Sequence, residues 1–224
     1  MRNEFYADTH DVGKWSRIVR LVREHGYREV YQIAMLLPDR NRNEGGNAYR
    51  PRVVEPKVEE FFLEERRVLR GNDAPPREVG RVERLPHAVE MDFTISVEME
   101  PFETSRADRT RYFSTIVDGK IHRLGSPLLA FLDPDNGVYK INSGGESDAP
   151  RPAGQHVSVH EIASTYNALR IGDGLLLYQH NPHIEGWLGL TLSSVCRAID
   201  PCDTEVYEVF PDCQVAFVHV RKKQ

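Results

Sequence analysis

The sequence predicts an α/β fold: a mostly parallel sheet with helices on both faces and a C-terminal antiparallel hairpin. Short apolar runs at 30–37, 128–132 and 175–178 each stop at a polar segment, which suits strands buried on both faces. A helical segment lies between the last two, and strand, helix, strand in that order implies a right-handed parallel crossover. Near the end, Glu205 to Phe210 and Cys213 to Val220 flank Pro211-Asp212 and read as an antiparallel edge hairpin.

The first element is a helix, because Val12, Trp15, Ile18, Val19 and Val22 share one face at helical spacing. Asp8 or Thr9 caps its start and Gly26 ends it. The run Val30 to Leu37 follows as a core strand, halted by Pro38-Asp39. Residues 39–56 are polar, contain Gly45-Gly46 and several arginines, and read as a loop. Around Pro56 to Gly71 a charged helix carries Val58, Phe61, Phe62 and Val68 as its buried stripe. The proline-rich stretch from Asn72 to Pro86 is expected to be irregular. Met91 to Met99 alternates like a strand, with Tyr112 to Val117 as its expected hairpin partner before Asp118-Gly119.

In the second half, Leu128 to Leu132 is a strand ending at Asp133-Pro134-Asp135-Asn136-Gly137. Ser158 and Glu161 form a capping box that opens a helix through Ile162, Tyr166 and Leu169. Gly172-Asp173-Gly174 then turns the chain into Leu175 to Tyr178. The whole, 1–224, reads as a single domain with an irregular excursion around 39–125.

A chain of 224 residues that is 40% hydrophobic can bury one sizeable core. The net charge of −5 means that the surface as a whole does not attract a polyanion, so contact with nucleic acid requires a local basic patch. Cys196, Cys202 and Cys213 lack the paired short spacings of a zinc site and read as reduced thiols. The start carries acidic residues and no apolar run, unlike a signal peptide, and no segment approaches the ~18 apolar residues of a membrane span. A cytoplasmic protein with no membrane partner and no obligate protein partner is expected.

In an open α/β sheet, ligands bind beyond the carboxyl ends of the parallel strands, where two polar clusters fall. Asp133, Asp135 and Asn136 leave one strand through a turn set by Pro134 and Gly137. The same residues also make good turn chemistry with no ligand at all. Tyr178-Gln179-His180-Asn181 leaves a neighbouring strand, and adjacent strands would bring the clusters to ~5–10 Å. A carboxylate and an imidazole at that distance can divide acid and base work. Asp133, Asp135 and His180 are therefore the candidate catalytic residues, with Asn136, Gln179 and Asn181 beside them for substrate.

Asp8-Thr9-His10-Asp11, with Lys14 one turn later, concentrates titratable groups at the first helix start, where acids are also favoured by capping and by the helix dipole. Lys14 beside Trp15 is a candidate phosphate or base contact. Arg40, Arg42, Arg50 and Arg52 place positive charge in a loop after a strand, either as a grip on a phosphate backbone or as a solvated loop balanced by Glu44 and Glu55. His156 and His160 have the spacing of metal ligands, but the capping box begins the helix between them. No bound metal or other cofactor is expected under the leading reading.

Four segments together resemble a bacterial family found in phage-defence neighbourhoods. They are Phe5-Tyr6-Ala7-Asp8 with Asp11, Lys14 and Trp15; Met35-Leu36-Leu37-Pro38-Asp39; Phe131 to Gly137; and Tyr178-Gln179-His180. That family is in turn similar to anti-phage DNA glycosylases that excise glucosylated hydroxymethylcytosine. The resemblance implies phage double-stranded DNA with modified bases as partner and an abasic site as product. The uracil-DNA glycosylase superfamily places an Asp-Pro motif after one strand and a histidine motif after another, to which Asp133-Pro134 and His180 would correspond. Only 46 residues separate the two, and Phe131-Leu132 replaces the usual Gly-Gln. The Asp-Pro turn, the helix and strand after it, and the terminal hairpin also look like an adenine methyltransferase, although no glycine-rich loop directly follows Met35 to Leu37. A third alternative is a metal-dependent nuclease or phosphodiesterase with Asp8, Asp11, Asp133 and Asp135 around magnesium.

Overall fold

A computed structural model describes residues 3, 6–36, 50–70, 75–76, 78–102, 106–134, 137–138, 156–181, 185–200, 204–212 and 215–223. Helix α1 (Thr9–His25) begins where Asp8 accepts the backbone N–H groups of His10 and Asp11 and ends at Gly26 in the left-handed region, as the sequence predicts. Strand β1 (Glu29–Ile33) is shorter than the apolar run, because Met35 turns to a positive φ of 45°. Leu37, Pro38, Asp39, Arg40 and Arg42 lie outside the described residues, whereas Arg50 and Arg52 are exposed.

Helix α2 (Pro56–Val68) buries Val58 and Phe62. The stretch expected to be irregular contains a 3-10 turn at Val79–Arg84, and the short α3 (Leu85–Ala88) continues from it. Strand β2 (Thr94–Val97) then pairs in parallel with β1, so it has no hairpin partner of the expected kind. Tyr112–Val117 is instead a π-helical stretch joining α4 (Arg106–Arg111) to α5 (Asp118–Ile121). Tyr112, Phe113, Val117 and Ile121 all enter one core cluster, so tertiary packing overrides the strand-like composition.

Strands β3 (Leu128–Leu132) and β4 (Gly174–His180) flank α6 (Val159–Ala168), whose start carries the capping box of Ser158 and Glu161. Helix α7 (Trp187–Ala198) follows, an element the sequence reading did not include. Strands β5 (Thr204–Asp212) and β6 (Val215–Lys222) form the terminal hairpin.

The six strands form one sheet in the order β2-β1-β3-β4-β6-β5. The first four run parallel; β6 lies antiparallel to both β4 and β5 and inserts between them. Two apolar clusters follow from strand alternation. One joins Val30, Leu129, Phe131, Leu176 and Phe217 to α1 and α2; the other joins Tyr31, Ile33, Ala130, Leu132 and Leu177 to the π-helical stretch, α5, α6 and α7. Helices therefore cover both faces, and the carboxyl ends of β1, β3 and β4 meet at one edge beside the start of α1. Among the described residues, no helix is long and apolar enough to cross a membrane.

Candidate active site

The sheet alternates, so Gln32 of β1, Asp133 just beyond β3, and Tyr178 and His180 of β4 all project to the α1 face. Helix α1 answers them with His10, Asp11 and Lys14 from its first two turns. Lys14 Nζ lies 2.8 Å from Asp133 Oδ1 and 3.7 Å from Asp11 Oδ1, and 4.4 Å over the ring of Tyr178. Gln32 Nε2 donates to Asp133 Oδ2 at 2.9 Å. Lys14, Asp11, Gln32 and Asp133 are all buried, Asp133 to 1% exposure. This buried ion pair is the floor of the site.

Above that floor stand two imidazoles. His10 Nδ1 is 2.9 Å from Tyr178 Oη, and the rings of His10 and His180 are 5.1 Å apart. His180 also meets Tyr178 edge to face at 4.8 Å. Both histidines are half-buried. Burial, then the charges of Lys14 and His10, push His180 down to about 3. Burial likewise lowers His10, against the pull of Asp8. Both are neutral imidazoles at pH 7, each offering one N–H donor and one acceptor.

The acids of the α1 start have structural tasks. Asp8 caps the helix, as its position allows. Asp11 Oδ2 accepts the N–H of Ala7 at 2.8 Å and so fixes that residue in the left-handed region at φ 67°. Burial raises Asp11 to about 8, with Lys14 pulling the other way. For Lys14 burial alone would lower the ammonium, but Asp133 and then Asp11 outweigh it and hold it above the ordinary lysine value. The nearer contact makes Asp133 its chief partner. The ammonium already occupies the position between Asp11 and Asp133 where the nuclease alternative needs magnesium.

Several expected site residues sit elsewhere. Strand β4 extends through His180, so Gln179 belongs to a strand rather than a turn and projects to the face opposite His180. It is buried, its Oε1 accepts Val138 N–H at 2.7 Å, and its Nε2 donates to the His180 carbonyl at 2.6 Å. A Cβ on Gly137, whose φ is 83°, would come within 2.4 Å of this amide, so Gly137 packs directly against Gln179. Asn181 is half-buried just beyond β4, while Asp135 and Asn136 lie outside the described residues. His156 gives its backbone carbonyl to Arg109 at 2.8 Å, just ahead of the helix that carries His160.

Three members of the site have no role assigned from sequence: His10 and Tyr178, which the two polar clusters contain, and Gln32, which neither contains. Gln32 carried a readable signal, a polar side chain inside an apolar run, which is costly unless it has a partner. The pairing of Tyr178 with His10 depends on how α1 crosses the sheet and has no local signal.

No family model and no curated protein matches the chain. Two solved structures resemble it in outline. One is a "putative methyltransferase" from Thermobifida fusca, at 13% identity, covering 99% of this chain and 87% of that one with a TM-score of 0.40. The other is a "duf574 family protein" from Streptomyces avermitilis, at 12% identity, covering 95% and 83% with a TM-score of 0.35. Likeness at this level assigns neither activity nor substrate to this chain.

Proposed function

We propose that the cluster at the carboxyl edge is the active site of a hydrolase that cleaves the N-glycosidic bond of a modified base in phage DNA. The observation that carries this reading is the neutral imidazole of His180, next to His10 and above a buried, charge-balanced Lys14–Asp133 pair. In the reaction the C1′–N bond breaks and its electron pair leaves with the base. Water adds its hydroxyl to C1′ and its proton ends on the released base. Negative charge therefore develops on the base, which an N–H donor in a dry site stabilises. A neutral imidazole does this without first being charged, and its proton is not lost to solvent. The target nucleotide would be turned out of the duplex to reach the edge.

Phage DNA and a glucosylated hydroxymethylcytosine are what the family resemblance implies; the geometry supports the leaving-group half of the chemistry. Of the two candidate catalytic carboxylates, Asp133 is enclosed by Lys14 and Gln32, so it acts by positioning the ammonium, which leaves Asp135 for the sugar. Asp133→Asn and Asp135→Asn therefore separate a positioning role from direct contact with the sugar. Mass spectrometry of small molecules released from glucosylated phage DNA is the test. His180→Ala should slow release of free base by about 10²-fold. Unchanged release from that variant rejects the assignment.

A second reading, a methyltransferase-like nucleic-acid-binding module, is favoured by the sheet order, in which β6 inserts reversed beside β4, together with the Asp-Pro turn after β3. In dinucleotide-binding sheets an acidic residue after the second strand holds a ribose hydroxyl. Here Glu98, next after β2, is buried and already taken by Tyr31 Oη at 2.6 Å and Lys120 Nζ at 2.9 Å. Tight binding to phage DNA with no covalent change in the DNA would favour this reading over hydrolysis.

A further inference from the structure

The opposite end of α1 holds a second group of ligating side chains that the proposed hydrolysis does not use. His25 closes α1, Glu208 lies on β5, and His219 faces it across the hairpin on β6. Glu208 Oε2 is 3.0 Å from His219 Nδ1 and 3.5 Å from His25 Nε2, and the three ligand atoms lie within 4.8 Å of one another. Among the described residues this is the one convergence of histidine, cysteine or carboxylate ligands able to hold an ion. It stands about 22 Å from His10, at ~1.5 Å of helix rise per residue.

We propose that His25, Glu208 and His219 bind a zinc ion. Zinc takes imidazole and carboxylate ligands at ~2.0–2.2 Å in a tetrahedron, so its ligand atoms stand ~3.3 Å apart, a value between the two separations from Glu208. The carboxylate is already the common neighbour of both imidazoles, and the ion would enter between them with small side-chain movements.

The surroundings fit an ordered ligand. His219 is fully buried, and its second nitrogen, Nε2, lies 2.8 Å from Tyr27 Oη. With Nδ1 on the ion, Nε2 carries the proton and donates to that hydroxyl, the kind of second contact that fixes a ligating imidazole. Gly174 leaves room for the arrangement: a Cβ there would fall 2.1 Å from Tyr27 Oη and 3.2 Å from His219 Nε2. Entry is open on the other side, since the side chains of His25 and Glu208 are 15% and 39% exposed. A fourth position is left for water, as in three-ligand zinc sites.

The test is titration of chelator-stripped, full-length protein with zinc against a chromophoric indicator, with cobalt(II) as a spectroscopic probe. One equivalent of zinc should bind, and cobalt should give the visible bands of a tetrahedral nitrogen and oxygen site. Glu208→Gln and His25→Ala touch half-buried side chains at the edge of the core and should keep the fold by circular dichroism while weakening zinc about 100-fold or more. His10→Ala at the far end should bind zinc like the parent protein. Absence of stoichiometric zinc in the parent protein, or equal binding by both variants, overturns the site and leaves a hydrogen-bonded His-Glu-His network. Release of free base from DNA does not enter this measurement, so the two proposals fail separately.

Discussion

The two ends of α1 each bring a histidine toward a second histidine on the sheet, and the two pairs differ in the charge beside them. At the amino end, His10 and His180 meet next to the ammonium of Lys14, which is itself balanced by Asp133. Burial, then the Lys14 ammonium, disfavours a proton on His180, and burial lowers His10 as well. At the carboxyl end, His25 and His219 share the carboxylate of Glu208. A carboxylate between two imidazoles calls for a positive partner. The same residue type thus stands beside a lysine ammonium at one end and shares a carboxylate, where the proposed zinc would enter, at the other.

The largest expected effect breaks the charge balance at the amino end. Lys14→Met leaves Asp133 buried without its ion partner and should cost about 3–5 kcal/mol in urea unfolding. Adding Asp133→Leu should recover much of that loss, because a well-packed apolar pair removes the stranded charge. A cost below about 1 kcal/mol for Lys14→Met would mean that the pair does not set the electrostatics of the edge.

A smaller effect tests the carboxyl end. Gly174→Ala forces Tyr27 away from His219 against buried surroundings, which should cost about 1–3 kcal/mol and weaken zinc as well. Unchanged zinc affinity in that variant would show that the tyrosine does not orient the ligand.

The finest contrast is in the pH dependence. His180 ordinarily titrates near 6.5 in the unfolded chain but near 3 when folded. Between those values the unfolded chain binds the extra proton, so stability falls as the pH drops through that window, by about 1.4 kcal/mol per unit for one group. Lowered His10 acts in the same direction. Asp11, raised to about 8, acts oppositely between about 4 and 8, because its folded form holds the proton longer. Subtracting the curve of His180→Gln from that of the parent protein isolates the histidine, and parallel curves would contradict a neutral His180.

Much of the scaffold was legible because its signals are local. Asp8 and Gly26 bracket α1, Ser158 and Glu161 open α6, and uninterrupted apolar runs mark β3 and β4. The π-helical stretch at 112–117 resembles a strand in sequence because its aromatic and β-branched residues suit either state, and only packing against β1 and β3 chooses. Gln179 was placed with His180 because they are adjacent in sequence, yet extension of β4 by two residues sends them to opposite faces.

By itself, the sequence determined where α1 starts and stops and where α6 begins, that β1, β3 and β4 are buried, and that polar residues gather at the carboxyl edge. Capping, turn geometry and hydrophobic periodicity act over a few residues and can be read in one dimension. The tertiary structure alone decided that Lys14 meets Asp133, that His10 meets Tyr178, and that His25 converges with Glu208 and His219. Those contacts join residues far apart in the chain, and they exist only once crossover, register and the angle of α1 on the sheet are fixed together.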